Sequence, residues 1–377
     1  MHIACVSYFY EPRLKSPEEL LETYQTLPGW AEGLAAAGAR VSVVQRFGYD
    51  IELMYRDVHY YFVADPTRRM GSALDRARRV NQAVARLNAE VIHVNGLTFA
   101  RQAWWLKRQR PRTPILLQDH ANFPPRGGLS AAMLRFALRR LDAVSFTAPE
   151  QALPWQEDGC LQPDTPVFSL MEGSSRFRLQ SRARARTLTE LHGDPLCLWV
   201  GRLNANKDPL TVLEGFACAA PYLPDPRLLL VYGESDLLPE VQHWLAENPH
   251  IADRILLIGK RPHEELEALY NSADLFLLGS HHEGSGYAAL EALACGVSPV
   301  LTDIPSFRML LSRGEVGTLW SVGSSDSLAC ALISAHNKRR QETPEQVRAY
   351  FDAHWSFEAI GREALEVYRQ MRERRRA

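Results

Sequence analysis

Short apolar runs recur along the chain, each followed by a stretch of helical periodicity. In the first half they are IACVSYF, ARVSVVQ, EVIHVN, PILLQD, AVSFTA and PVFSLM; in the second, PLCLWVG, RLLLVYG, RILLIG, LFLLGS and SPVLTD. Their apolar residues are consecutive rather than alternating, as in parallel strands covered by helices on both faces. Strands alternating with helices predict a doubly wound α/β architecture, and about eleven strands predict two Rossmann-like domains rather than one. A polar, arginine-rich stretch, SSRFRLQSRARARTLTELHGD, separates PVFSLM from PLCLWVG. It predicts a first domain over 1–173, a linker region over 174–194 and a second domain from 195.

Composition narrows the function classes. The 377 residues carry 43 Lys and Arg against 44 Asp and Glu, a formal net charge of −1, with 46% hydrophobic residues. That balance argues against nucleic-acid binding as the main role. No apolar run approaches the roughly 20 residues that span a bilayer. The start, MHIACVSYFY, lacks the basic and long apolar regions of a signal peptide and reads as a first strand. Six cysteines, at 5, 160, 197, 218, 295 and 330, show no C-x-x-C pair and read as buried reduced thiols of a cytoplasmic protein.

The connection after the first strand, YEPRLKSPEELLETYQTLPG, is long for a βα loop and has room for a short helix at PEELLETY, ahead of a helix at GWAEGLAAAGA. It leaves the carboxyl end of a strand, where open α/β sheets bind ligands.

The stretch HHEGSGYAALEALACG follows the strand LFLLGS. A glycine turn leads into a helix predicted over Tyr287–Ala294 and stopped by Gly296. Gly284 and Gly286 permit positive φ and close backbone approach. The amides of Ser285, Gly286, Tyr287 and Ala288, with the positive helix end, suit a diphosphate. Glu283 stands before this anion site and Glu291 about one turn inside the helix. Glu291 suits two vicinal hydroxyls, such as a ribose diol, and Glu283 faces whatever the diphosphate carries. The same pair also fits an ordinary exposed helix face.

A second group lies in WVGRLNANKDPL, where Arg202 and Lys207 leave the strand PLCLWVG. Arginine can grip phosphate oxygens in bidentate fashion, and lysine acts as a point charge. Two solvated surface cations would look the same. There is no D-x-D carboxylate pair; Glu234-Ser235-Asp236 reads as a turn, and the adjacent His281 and His282 lack ligand spacing, so no metal site is assigned.

VGRLNANKDPL together with LIGKRPHEELEALYNSADLFLLGSHHEGSGYAALEALACGVSPVLTD resembles the carboxyl half of glycosyltransferase family 4. The resemblance implies a GT-B fold, two Rossmann-like domains facing each other across a cleft, and a retaining, hexosyltransferase-like enzyme using a nucleotide-sugar donor. On that likeness Arg202 and Lys207 match the diphosphate-binding pair, Glu291 the ribose ligand and Glu283 the residue on the donor sugar. Gly259, Lys260 and Arg261 fall where the base packs, and His120 where many members place a histidine near the donor sugar. His93, closing a strand, is a weaker candidate of that kind. HWSFEAIGREALEVYRQM resembles the terminal helix that returns to the first domain, so the second domain is expected over 195–354 and 355–377 joins the first. The Gly-Gly turn that many members carry after the first strand is missing here; only Gly29 stands in that region.

The expected reaction is sugar transfer from a UDP- or GDP-sugar to a glycan, lipid-linked or small-molecule hydroxyl, without metal or further cofactor, by a front-face mechanism that retains configuration. Two other readings stay open: a sugar-nucleotide epimerase of the same fold, and a degenerate, non-catalytic nucleotide-sugar-binding subunit. GGLSAAMLRFALRRLDAV and RQAWWLKRQRPR suit either helices packed on a sheet or weak peripheral contact with the inner face of a membrane. The tail RQMRERRRA reads as a solvated helix end.

Overall fold

The computed structural model describes residues 1–65, 75–312, 316–339 and 341–375. The chain divides into two compact units, Met1–Ser174 with Phe357–Ala377, and Ser175–Ser356.

The first unit is built on eight strands: β1 His2–Ser7, β2 Arg40–Phe47, β3 Ile51–Tyr55, β4 Val58–Ala64, β5 Val91–Asn95, β6 Ile115–Gln118, β7 Ala143–Phe146 and β8 Val167–Ser169. They lie in the order β3-β4-β2-β1-β5-β6-β7-β8. All neighbours are parallel except β3 and β4, which form an antiparallel hairpin. This hairpin is absent from the sequence expectation. Its turn residues, Arg56 and Asp57, sit at φ 46° and 63°. That is mirror-image turn geometry, usually marked by Asn-Gly or Asp-Gly, and Arg-Asp carries no such mark.

The long connection after β1 holds a helix at Pro17–Thr23, whose Ser16 Oγ accepts from the Glu19 amide at 3.1 Å. A second helix, Thr26–Ala36, begins three residues earlier than expected. Gly29 is therefore no turn glycine. It lies inside this helix, where a methyl would stand 2.3 Å from the Phe357 ring; on Gly33 it would stand 2.0 Å from the Phe357 carbonyl oxygen. These glycines let the terminal helix, Phe357–Arg374, pack backbone to backbone. The tail is largely exposed, as expected, and two of its arginines also pair with the rest of the first unit. Arg372 meets Glu90 at 2.7 Å, and Arg375 bonds Asp142 and the Pro111 and Arg112 carbonyls. Arg376 and Ala377 lie outside the described residues.

The second unit carries β9 Leu196–Gly201, β10 Arg227–Tyr232, β11 Ile255–Gly259, β12 Leu275–Leu278, β13 Ser298–Thr302 and β14 Thr318–Trp320, all parallel, in the order β11-β10-β9-β12-β13-β14. The three-residue β14 is too short for its apolar run to stand out. The order reverses between β9 and β12, the switch point of a doubly wound sheet.

Residues 174–194, expected to link two domains, belong almost entirely to this second unit. They form a helix at Arg182–Thr189. Arg182 and Arg186 reach the buried carboxylate of Asp274 at 3.2 and 2.7 Å, and Arg339 reaches it at 3.1 Å. A buried carboxylate needs such partners. Arginines that look like solvated linker charge in the sequence neutralise one interior acid.

Cys5, Cys160, Cys197 and Cys295 are buried, and burial pushes the Cys5 thiol up to about 12. Cys218 and Cys330 are exposed, against expectation. Among the described residues no helix is long and apolar enough to cross a membrane.

Gly33→Ala separates two effects of opposite sign. Helix propensity alone favours alanine by roughly 1 kcal/mol. Overpacking costs about 1–3 kcal/mol, and the overlap with Phe357 is severe. The clash should win, so the urea midpoint falls; a rise would contradict the close helix contact.

Candidate functional site

The loops that follow β9 and β12 meet at the switch point of the second unit. β12 pairs with β9 only through Leu275–Cys197 and Phe276–Leu198, so the ladder between them ends while both strands run on. Asn206 joins the two loops beyond it. Its carbonyl accepts from the His281 amide at 2.8 Å, its Oδ1 from the His282 amide at 3.0 Å, and its Nδ2 donates to the His282 carbonyl at 3.0 Å. Gly279 permits the approach, since a methyl there would stand 3.0 Å from the Asp208 carbonyl oxygen. Asp208, at φ 44°, caps the helix Pro209–Ala219 and meets His281 Nε2 at 3.0 Å. His281 is thus engaged by a single carboxylate, and among the described residues no group of three potential metal ligands occurs.

This junction sets Lys207 against Glu283. Lys207 Nζ donates to Glu283 Oε1, which also accepts from Ser280 Oγ at 2.7 Å. Both side chains are largely buried. The Lys207 amide is held by Asn204 Oδ1 at 3.1 Å. Gly284, Ser285 and Gly286 follow, all buried. Gly286 adopts φ 72°, and a methyl on it would stand 2.5 Å from the Phe307 ring, so only glycine fits this helix start. The helix Tyr287–Ala294 begins at the expected residue, with Tyr287 40% exposed.

Glu291 projects from that helix. Its Oε2 accepts from the Tyr270 hydroxyl at 2.9 Å and its Oε1 lies 2.8 Å from His263 Nε2. Phe177 stacks on the His263 ring at 4.8 Å. The hydrogen bond to Glu291 and its charge, working against desolvation, raise the His263 pKa above its ordinary value.

The remaining expected residues stand apart from the Lys207–Glu283 pair. Arg202 is 58% exposed, with Nη1 3.6 Å from Glu234 in the loop after β10. Gly259 closes β11 at φ 71°, and Lys260 and Arg261 are exposed, with Arg261 3.8 Å from Glu265.

In the first unit His120 follows β6. Its Nε2 bonds Asn95 Oδ1 at the end of β5, and its Nδ1 stands 2.9 Å from Glu172, which lies beyond β8. Burial disfavours the imidazolium, yet the hydrogen bond and charge of Glu172, with the charge of Asp119, outweigh it and raise the pKa. Asp119 is itself pushed up to about 6 by burial and by Glu172. His93 has a packing role: its Nδ1 lies 2.6 Å from the Tyr368 hydroxyl of the terminal helix, beside Trp30. Burial drives its pKa down to about 3, so it stays neutral.

Four positioning residues were missed from sequence: Asn95, Glu172, Asn206 and Tyr270. The two asparagines of NANK, in a loop between a strand and a helix, were the legible signal. Tyr270 looked like one more core aromatic.

Residues 182–351 match the family Glycosyl transferases group 1, and residues 25–165 the Glycosyl transferase 4-like domain. The chain belongs to the group 1 glycosyltransferases of family 4. It is therefore a transferase that uses a nucleotide-sugar donor. Over 284 residues, 70% of each chain, it is 25% identical to the GDP-mannose:cellobiosyl-diphosphopolyprenol alpha-mannosyltransferase of Xanthomonas campestris. It is 30% identical over 186 residues to the D-inositol 3-phosphate glycosyltransferase of Corynebacterium urealyticum, covering 46% of this chain and 42% of that one. Among solved structures, sucrose-phosphate synthase from Thermosynechococcus elongatus superposes with a TM-score of 0.69 at 21% identity over 98% of both chains. Anabaena HepE in complex with UDP gives 0.68 at 16% identity over 98% of this chain and 100% of that one. These likenesses show the GT-B fold.

Glu291→Gln should bring the His263 pKa back down towards that of a free histidine, read by NMR titration of the ring protons. In the native chain the raised folded pKa stabilises most below the unfolded value near 6.5, and that contribution is lost as pH rises through the folded pKa. His263 is 57% exposed, so solvent keeps the effect small. An unchanged titration would show that the ion pair does not form.

Proposed function

We propose that the protein transfers a sugar from a UDP- or GDP-sugar to a hydroxyl acceptor with retention of configuration and without a metal ion. The observation that carries this reading is the Lys207–Glu283 pair beside a glycine-started helix bearing Glu291. An ammonium has three donors, and Glu283 accepts one. The diphosphate then lies on the helix-start amides from Ser285 to Ala288, against Lys207, with Arg202 swinging from its weak, exposed contact to Glu234. Glu291, oriented by Tyr270, takes the ribose diol, and the base packs on the turn Gly259–Arg261. Glu283 holds the transferred sugar.

The charge that grows on the leaving diphosphate is met by Lys207, Arg202 and the helix start. The diphosphate itself accepts the acceptor's proton in a front-face reaction, so no protein base is required. The acceptor is a hydroxyl of a glycan, a lipid-linked sugar or a small molecule. The Xanthomonas campestris relative is named for an activity on a diphosphopolyprenol-linked sugar, which favours the lipid-linked class.

Steady-state kinetics with calorimetry test the assignment. Losing the charge-assisted hydrogen bonds to a diol should cost about 1.5–3 kcal/mol, so Glu291→Ala raises the donor KM about ten- to a hundredfold. Arg202→Ala and Lys207→Ala lower kcat more than they raise KM, because their contacts strengthen in the transition state. Activity persists in EDTA. Native donor affinity in Glu291→Ala would remove the ribose assignment, and loss in EDTA restored by Mn²⁺ would remove the metal-free one.

A further inference from the structure

The outermost strands of the two sheets are β3, β8, β11 and β14, and all but β3 are blunted. β8 and β14 are only three residues long, and β11 runs in an irregular register against β10. Short edges and bulges are common protection against a further strand. β3 has neither: its five residues pair with β4 in unbroken register. The stretch from Tyr49 to Val58 holds no Lys, Pro or Gly. Among the described residues no strand lies along its outer side. Tyr49, Ile51 and Met54 are 44, 38 and 64% exposed. Apolar side chains beside open backbone groups make the kind of edge that accepts another strand.

The hairpin turn decides which backbone groups are open. A two-residue turn with both residues at positive φ is closed by its flanking pair, here Tyr55 and Val58, which exchange both bonds. Bonded and open positions alternate along an antiparallel ladder. Leu53 and Ile51 therefore also bond β4, while the amides and carbonyls of Glu52 and Met54 point away from the sheet.

A second copy pairing antiparallel about a two-fold axis must match open positions with open positions. Registers centred nearer the start of β3 set Glu52 against Glu52 or Asp50 of the other copy, like charge on like. Registers centred nearer the turn carry Ile51 into or past the other copy's turn. A centre at Leu53 avoids both. It pairs Glu52 with Met54, Ile51 with Tyr55 and Asp50 with Arg56, each on both sides of the axis, and Leu53 with itself. The acidic start of each strand then meets the basic turn of the other. Asp50 already accepts from Arg79 at 2.5 Å and from the Ala64 amide at 2.8 Å, and a carboxylate has room for about four bonds. Arg56 is held only by Glu32, at 3.6 Å.

We propose that β3 joins a second copy of the chain edge to edge, in an antiparallel two-fold pairing centred on Leu53 that continues the eight-stranded sheet into its partner. The row Ile51, Leu53, Tyr55 then runs unbroken across the axis. A five-residue strand is a small contact, so the dimer is of the weak, concentration-dependent class. The edge belongs to the first unit and the Lys207–Glu283 junction to the second, so this pairing is independent of the transferase reading.

Cysteine trapping in the full chain tests it, with Cys218→Ser and Cys330→Ser removing the exposed native thiols. Non-hydrogen-bonded partners in an antiparallel ladder have Cα atoms about 4.5 Å apart, within reach of a disulfide. Leu53→Cys should therefore give a linked dimer under mild oxidation. Leu129→Cys, at a position 75% exposed on the same unit, should not. Sedimentation velocity of the native chain should show self-association rising with concentration. Arg56→Asp suits the positive φ of the turn and turns both end pairs repulsive, so it should weaken association about tenfold. Met54→Pro removes an amide that faces only the partner and should weaken it more than tenfold, with the circular dichroism spectrum and the donor affinity unchanged. No trapping at Leu53→Cys above that at Leu129→Cys, a monomer at every concentration, or undiminished association of both Arg56→Asp and Met54→Pro overturns the proposal.

Discussion

The candidate site depends on three hydrogen bonds made by Asn206. At the switch point of the second sheet, β9 and β12 stop pairing before either ends. The loops that carry the cation and the carboxylate would otherwise diverge with their strands. Asn206 replaces the missing ladder with a side-chain imitation of one, donating to and accepting from His282 and accepting from His281. Each such bond is worth about 1 kcal/mol net, and these bonds lie in a part-buried setting. That is enough to fix the register of two loops, and the register places Lys207 beside Glu283.

The small residues around this junction follow from the same constraint. Gly279 lets the second loop pass under the Asp208 carbonyl, and Gly286 starts the helix where any side chain would strike Phe307. Backbone amides, a buried ammonium and a carboxylate are thereby collected in a small volume, without a metal cluster among the described residues. Chemistry that develops negative charge on a leaving group is what such an arrangement is suited to stabilise. In the first unit the same logic appears in miniature: His120 is pinned between Asn95 and Glu172, contributed by the ends of β5 and the segment beyond β8.

Much of this was legible in the sequence, for physical reasons that also mark its limits. Consecutive apolar runs announced eleven buried parallel strands, since a strand covered on both faces has no polar side to show. They did not announce β3, whose exposed residues and Arg-Asp turn lack both signals. The turn and helix from Glu283 to Ala294 were readable because glycine spacing and helix periodicity are local. Gly29 was misplaced because its reason lies at Phe357, over 300 residues away in the chain. The roles of Arg182 and Arg186 are hidden in the sequence for the same cause: their partner, Asp274, is distant along the chain. Tyr270, which orients Glu291, was likewise hidden until the helices were folded.

The central claim is that a nucleoside diphosphate is held at this junction. A crystal structure of the protein with bound UDP or GDP tests it most directly. The account requires diphosphate oxygens within hydrogen-bond reach of the Gly286 and Tyr287 amides and of Lys207, with the ribose hydroxyls on Glu291. A nucleotide found elsewhere in the chain, or one seated here with its ribose turned away from Glu291 and its phosphates bridged by a metal, would contradict it.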